Sequence, residues 1–239
     1  VTDFAGIWTI EHVAETGSTN ADLIERADSG AAADRTVLRT DHQTAGRGRL
    51  DRRWDAPPGT NLLTSILFTD PPSVPTELPQ AVAVASLTAV EELAGRGLDG
   101  RLELKWPNDL LLDGRKLSGV LSQRTVSGAV VVGIGLNVGW APEGAACLRD
   151  DLDLDTDPAT FLECLLSALD EILASGDVVA RYRERLSTLG LDVRIELPGG
   201  TTLTAVAVDL DEGGRLIVES SESGRMTLDV GDIVHLRPG

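Results

Sequence analysis

The sequence predicts a mixed α+β domain followed by a small all-β domain. Apolar segments of strand length are interrupted by strongly apolar helical segments before Gly190, and strand follows strand through the middle of that region. After Gly190 the texture changes to short β-rich segments separated by PGG, DEGG, ESG and VGD turns, the spacing of a small barrel or sandwich. Adjacent strands in the middle argue against a doubly wound nucleotide fold. Neither G-x-G-x-x-G nor G-x-x-x-x-G-K-[ST] occurs, so a nucleotide would have to be held by another route.

Taken in order, Ile7 to Val13 reads as a strand. Ser18 or Thr19 can cap a helix that starts near Asn20, buries Leu23, Ile24 and Ala27, and ends at Gly30. Arg35 to Thr40 is a strand by its β-branched content, and Asn61 to Phe68 a buried one. Gln80 to Leu93 is apolar on most sides and predicts a deeply packed helix. Leu102 to Trp106 is a strand running into Pro107. Asp109–Leu112 and Leu117–Gln123 flank the turn DGRK as a hairpin, since Asp-Gly is a strong hairpin signal. Ala129 to Val138 is a central strand. A polar loop through Asp157 leads to a helix over Pro158–Ala174, and a second helix covers 177–190. The domains expected are therefore residues 1–190 and 191–239.

Composition narrows the function classes. The 239 residues carry a formal net charge of −17, which disfavours general binding to nucleic acid or anionic membranes. Cys147 and Cys164 have no metal-ligand spacing and form no framework of bridges, which points to a reducing cytoplasm. The N-terminus lacks the pattern of a signal peptide, and no apolar run reaches transmembrane length. His12, His42 and His235 suggest no metal site, and no nucleophile motif such as G-x-S-x-G is present.

Against that acidic background, Gln43–Trp54 (QTAGRGRLDRRW) gathers Arg47, Arg49, Arg52 and Arg53 around Gly46 and Gly48. Glycine lets backbone approach a ligand, and arginine presents a donor fork suited to phosphate or carboxylate. The stretch reads as an anion-binding loop or a solvated basic one. Trp54 either stacks on a flat ring or anchors the loop. Three further stretches are polar at strand ends. ETGSTN places Ser18, Thr19 and Asn20 at a helix start, as caps or as partners of a neutral polar ligand. KWPNDLLLDGRK holds Lys105, Asn108, Asp109 and Lys116. Pro107 ends strand pairing and lets Asn108 and Asp109 turn toward a site; Lys105 and Lys116 are otherwise edge and turn residues. GIGLN ends an apolar strand in Asn137.

Together, ETGSTN, QTAGRGR with its tryptophan, KWPNDLLLDGRKLSG and GIGLNV resemble the biotin protein ligases, in the family's order and rough spacing over residues 11–139. The resemblance implies a catalytic domain of the class II aminoacyl-tRNA synthetase/biotin ligase kind and a C-terminal barrel of the Src-homology-three-like kind. It implies that biotin attacks the α-phosphate of ATP, with Mg²⁺, and that biotin is then passed from biotinyl-5′-AMP to a lysine of a carrier domain of biotin-dependent carboxylases, such as acyl-CoA or pyruvate carboxylase. Carried over residue by residue, Ser18, Thr19, Asn20 and Gln43 meet the ureido ring. Arg47, Gly48 and Arg49 line biotin and the acyl-adenylate, with Lys116 at the carboxylate. Lys105, with Arg47 and Arg49, stabilises charge at the reacting phosphate, and Trp54, Asn108 and Asn137 surround the adenosine part. Asp109 is a metal or turn residue, and the metal ligands are not assigned. Asp51 departs from the family, which has glycine there. The absence of a DNA-binding segment before the catalytic motifs predicts a monofunctional ligase. Whether it is a monomer or homodimer stays open. A lipoate or octanoyl ligase of the same fold and a non-catalytic biotin-binding module are the rival readings.

Overall fold

A computed structural model describes residues 2–4, 6–49, 52–74, 76–95, 97–98, 100–196, 202–229 and 232–235. An eight-stranded sheet runs in the order β1-β2-β3-β4-β8-β7-β6-β5. Its strands are β1 (Thr2–Phe4), β2 (Trp8–Thr16), β3 (Thr36–Gln43), β4 (Leu62–Phe68), β5 (Leu102–Lys105), β6 (Asp109–Leu112), β7 (Arg115–Arg124) and β8 (Val130–Leu136). Only β2 and β3 pair in parallel, joined through α1 (Thr19–Asp28). Every other pairing in this sheet is antiparallel. The mixed sheet and the hairpin over DGRK are as the sequence predicts.

The two faces are covered unequally, and this places the site. Side chains alternate between faces along a strand. Leu62, Ile66 and Phe68 of β4 and Val130, Val132, Ile134 and Leu136 of β8 join the large core under α2 (Glu77–Ala94) and α4 (Pro158–Ser175). The opposite face buries Leu67, Ala129 and Val131 beneath Leu23 of α1. With both faces covered, β4 is buried at all its positions. But α1 has only 10 residues, about 15 Å of helix. Beyond its N-terminus the same face of the sheet is left without a helix.

Three elements differ from the sequence expectation. The helix expected over 177–190 is limited to α5 (Val178–Glu184). Residues 185–187 instead cover the edge of β5: Leu104 N donates to Arg185 O at 2.8 Å, and Ser187 N donates to Leu104 O at 2.8 Å. Satisfying an exposed strand edge outweighs the continuation of the helical pattern. A short α3 (Leu148–Leu152) interrupts the expected polar loop, and β1 adds an edge strand to β2. At α4 the Asp157 carboxylate caps Ala159 N and Thr160 N. Its hydrogen bonds from Thr160, hydroxyl and backbone, hold it below the usual carboxylate range.

The C-terminal strands β9 (Asp192–Glu196), β10 (Thr202–Leu210), β11 (Leu216–Ser220), β12 (Gly224–Leu228) and β13 (Asp232–His235) form an antiparallel sheet ordered β12-β11-β10-β9-β13, with a register shift at Ala207/Asp209. Among the described residues no pairing joins β12 to β13, an arrangement compatible with the expected Src-homology-three-like unit. Val193, Ile195, Ala207 and Val218 are continuous with the main core.

Trp8 is fully buried and its indole Nε1 donates to Asp170 Oδ2 at 2.9 Å. Arg35 lies 4.9 Å from the same ring and also reaches Asp170. Asp170→Ala strands a buried N–H, which costs about 1–3 kcal/mol. A urea titration should show the midpoint lowered accordingly; an unchanged midpoint would contradict this role for Asp170.

Candidate active site

The uncovered part of the sheet face is floored by glycine. Gly133 and Gly135 lie two residues apart on β8, and Gly119 of β7 pairs with Gly135. None of the three has a positive φ, so the backbone does not require glycine; the space does. A β-carbon at Gly133 would sit 2.2 Å from Asn20 Oδ1, and one at Gly135 would sit 2.3 Å from Trp54 Cε2. At Gly119 it would press on Lys116 and Trp54 at 3.2–3.3 Å. Over this floor lies a cavity of ≈ 320 Å³, within the size of small-molecule sites.

The end nearest α1 is built of neutral donors and acceptors. Gln43 Oε1 accepts from Thr19 N at 2.9 Å and from the Thr19 hydroxyl at 3.2 Å. Buried Ser65 donates to Asn20 Oδ1 at 2.6 Å and lies 2.6 Å from the Thr19 hydroxyl. Asn20 Nδ2 donates to Leu121 O and Gln123 Oε1. Asn20 is thereby fixed on both amide ends. Ser18 occupies the N-cap position of α1, yet its side chain makes no cap bond. Of the two sequence readings of Ser18, the cap bond is not made, and Ser18 lines the cavity.

The opposite end is cationic. Thr44 N and Ala45 N donate to Thr16 O and Gly17 O, both at 2.9 Å, which carries the β2–β3 pairing into the arginine loop. The loop then doubles back: Gly48 N donates to Arg52 O at 2.6 Å and Trp54 N to Gly46 O at 3.0 Å. A β-carbon on Gly46 would lie 2.3 Å from Trp54 O, so glycine is required for this closure. The fold-back lays Trp54 on the glycine floor, with Lys116 Nζ 5.6 Å from the ring centroid. The Trp54 indole N–H is buried without a hydrogen-bond partner.

Across the loop, Arg49 Nη1 donates to Asn108 Oδ1 at 3.4 Å, and Asn108 Nδ2 donates to Val120 O at 2.8 Å. Lys116 Nζ donates to Asp109 Oδ1 at 2.6 Å. Asn137 is buried and turned to structure: its Nδ2 donates to Ala146 O and its Oδ1 accepts from Asn61 Nδ2, which pins the rim at Pro142 and Ala145. Cys147, next along this rim, is buried, and burial pushes its thiol above the usual range. Tyr182 of α5 is fully buried with an unpartnered hydroxyl. Burial first, then the Asp109 charge, raises its phenol well above the ordinary value.

The structure thus brings together Ser18, Thr19, Asn20, Gln43, Arg47, Gly48, Arg49, Trp54, Asn108, Lys116 and Asn137 around one cavity. Lys105 is not in the lining; it is half-buried at the end of β5, opposite Asp109 in register. Asp51 lies outside the described residues. Sequence reasoning missed Ser65, a polar residue in the middle of the apolar strand β4, and Asn61, which immediately precedes it. It also missed Gly119, Gly133 and Gly135 as a floor. The signal was glycine at alternate positions of β8, Gly133 and Gly135, where strands ordinarily lose stability, with Gly119 opposite on β7. Among the described residues no three metal-ligating side chains cluster. Among the described residues Asp109 and Asp55 are the carboxylates lining the cavity, paired here to Lys116 and Arg53. Mg²⁺ carried in on phosphates takes one or two carboxylates together with substrate oxygens, and this donor set fits that.

Comparison with known proteins agrees with this construction. The sequence profile of the biotin/lipoate A/B protein ligase family matches residues 14–139, and that of the biotin protein ligase C-terminal domain matches residues 188–236. A biotin–[acetyl-CoA-carboxylase] ligase of Mycobacterium tuberculosis is 39% identical, over 95% of this chain and 89% of that protein. One from Paracoccus denitrificans is 31% identical, over 92% and 98%. The structure of a biotin protein ligase from Aquifex aeolicus in complex with biotin and ATP superposes with a TM-score of 0.79 at 27% identity, covering 96% of this chain and 99% of that one. On the motifs, the two-sheet architecture and these matches, the chain belongs to the biotin protein ligases of the biotin/lipoate A/B protein ligase family.

Proposed function

We infer that this protein is an enzyme that activates biotin with ATP as biotinyl-5′-AMP and transfers it to a lysine of a carrier domain. One observation supports this above others: a single cavity joins a neutral, amide-and-hydroxyl end to a cationic end over a floor without side chains. Biotin asks for that combination. Its ureido ring has one carbonyl and two N–H groups, which Ser18, Thr19 and Gln43 complement. Its bicyclic body needs flat apolar space, and its carboxylate must meet a nucleotide phosphate. Lipoate has no ureido group, so the polar end favours biotin over the lipoate reading.

The residue roles follow as proposals. Lys116 exchanges Asp109 for the substrate carboxylate. Arg47 and Arg49, with the Gly48 backbone, hold the acyl-phosphate region. Lys105 reaches the reacting phosphate when substrates are bound. The attack of a carboxylate oxygen on the α-phosphate builds charge on its equatorial oxygens, and fixed cations stabilise it there. Trp54 covers the adenylate, while Asn108 and Asn137 shape its adenosine end, the latter by holding the rim. Mg²⁺ would be held by Asp109 and the ATP phosphates, and supplies charge neutralisation of the leaving pyrophosphate. In the second step the carrier lysine attacks the mixed anhydride carbonyl, and AMP leaves.

We further propose residues 1–190 as the catalytic domain, 191–239 as the small C-terminal one, and a carrier domain of an acyl-CoA or pyruvate carboxylase as acceptor. Cys147 and Cys164 are free, which suits a reducing cytoplasm.

Mass spectrometry of a biotin carrier domain incubated with the protein, biotin and MgATP should show one added biotinyl group on lysine; labelling with lipoate instead would overturn the assignment. Lys105→Ala should slow single-turnover adenylate formation about a hundredfold or more while calorimetry finds biotin still bound. Unimpaired adenylation in that variant would remove Lys105 from the chemistry.

A further inference from the structure

Trp106 is held between the two sheets. It is 3% exposed and stands two residues before Asn108, three before Asp109. Its backbone N–H donates to Thr188 Oγ1 at 3.1 Å, and its indole Nε1 donates to Gly214 O at 3.4 Å. Both acceptors belong to the C-terminal side of the chain. Gly214 O also accepts from buried Gln80 Nε2 at 3.0 Å, and Gly213 O from the Thr76 hydroxyl at 2.8 Å. The Asp211–Gly214 turn, closed by Gly214 N to Asp211 O at 2.9 Å, is thus fastened to the start of α2 and to Trp106 at once. Gly214 has φ +73°, and a β-carbon there would fall 1.9 Å from Gln80 Nε2. The fit excludes any side chain.

We propose that Thr188 and the Asp211–Gly214 turn form a positioning joint: by clasping Trp106 at its backbone and its indole, they set the Asn108–Asp109 turn against Arg49 and Lys116. None of these joint residues lines the cavity, so they act through Trp106. The load path is short. Trp106 leads through Pro107 to Asn108, whose amide receives Arg49, and to Asp109, which holds Lys116. A small displacement at Trp106 therefore moves the partners of two cations that face the substrates. A misplacement of about 1 Å at a reacting centre costs on the order of a hundredfold in rate. The consequence for catalysis rests on the ligase reading above; the mechanical coupling does not.

The test compares Gly214→Ala and Thr188→Val with Gly224→Ala. Gly224 lies in the same sheet at φ +71°, but a β-carbon there meets nothing within 4 Å. It reproduces the backbone strain of Gly214→Ala without touching the joint. Thr188→Val keeps the shape and removes the acceptor of the Trp106 N–H, which covers the case in which Gly214→Ala does not fold. Two readouts are taken: amide hydrogen exchange over residues 105–112, and kcat and KM of biotin-dependent ATP–pyrophosphate exchange. The expected result is faster amide exchange and a kcat lowered about 10- to 100-fold in both joint variants. Biotin affinity should be unchanged, and Gly224→Ala should match the unmodified protein. Amide exchange over 105–112 as slow in the joint variants as in Gly224→Ala would overturn the joint. So would protection lost with kcat intact. Absence of pyrophosphate exchange in the unmodified protein would count against the ligase reading, and amide exchange would still decide the joint.

Discussion

Three missing β-carbons decide what this fold can hold. Gly119, Gly133 and Gly135 sit on the one sheet face that α1 is too short to cover. Had Gly133 and Gly135 carried side chains, Asn20 and Trp54 would be displaced, since the space they use begins 2.2–2.3 Å from the would-be β-carbons; at Gly119 Lys116 and Trp54 come within 3.2–3.3 Å. Such glycines weaken a strand interior. Strand β8 tolerates Gly133 and Gly135 because its alternate residues, Val132, Ile134 and Leu136, are locked into the large core on the other face. The same strand thus carries the packing on one side and the cavity floor on the other.

Around the floor, the polar groups fall into two kinds. Asn20, Ser65, Asn61 and Asn137 are spent on one another and on backbone carbonyls, and they stiffen the cavity. A buried polar network of this kind is useful only if its members are satisfied. Arg49 and Lys116, by contrast, rest on partners that a ligand can replace: an amide oxygen and a carboxylate. An acidic protein with a net charge of −17 repels anions at long range. Gathering four arginines, Arg47, Arg49, Arg52 and Arg53, on one folded-back loop concentrates the attraction for phosphate at the cavity.

Much of this is legible in the order of the amino acids. The helix start at Ser18–Asn20, the arginine loop, the DGRK hairpin and the apolar strand ending in Asn137 all appear where periodicity and turn chemistry put them. What is not legible there is tertiary. The sequence pattern of residues 177–190 is helical, and only the bare edge of β5 explains why it stops at Glu184. Capping propensity assigns the Ser18 side chain to α1, but it makes no cap bond, and the N–H of the first helical residue, Thr19, goes to Gln43 from β3. The glycines of β8 read as a weakness along the chain; their space is filled by Asn20 and Trp54, which are remote in sequence. Lys105 illustrates the limit of motif reading: its neighbours Asn108 and Asp109 reach the cavity, and it does not line it.

The dependence of the site on its bare floor is most directly tested by Gly135→Ala. The backbone at Gly135 has no positive φ, so the substitution adds one methyl group and no backbone strain, directed at the Trp54 ring. Isothermal titration of biotin, beside a thermal melt, separates the two contributions. The expected result is a melting temperature close to that of the unmodified protein with biotin binding weakened about tenfold or more, equivalent to about 1.4 kcal/mol. Unchanged biotin affinity in a folded Gly135→Ala protein would contradict the claim that the missing β-carbons make the site.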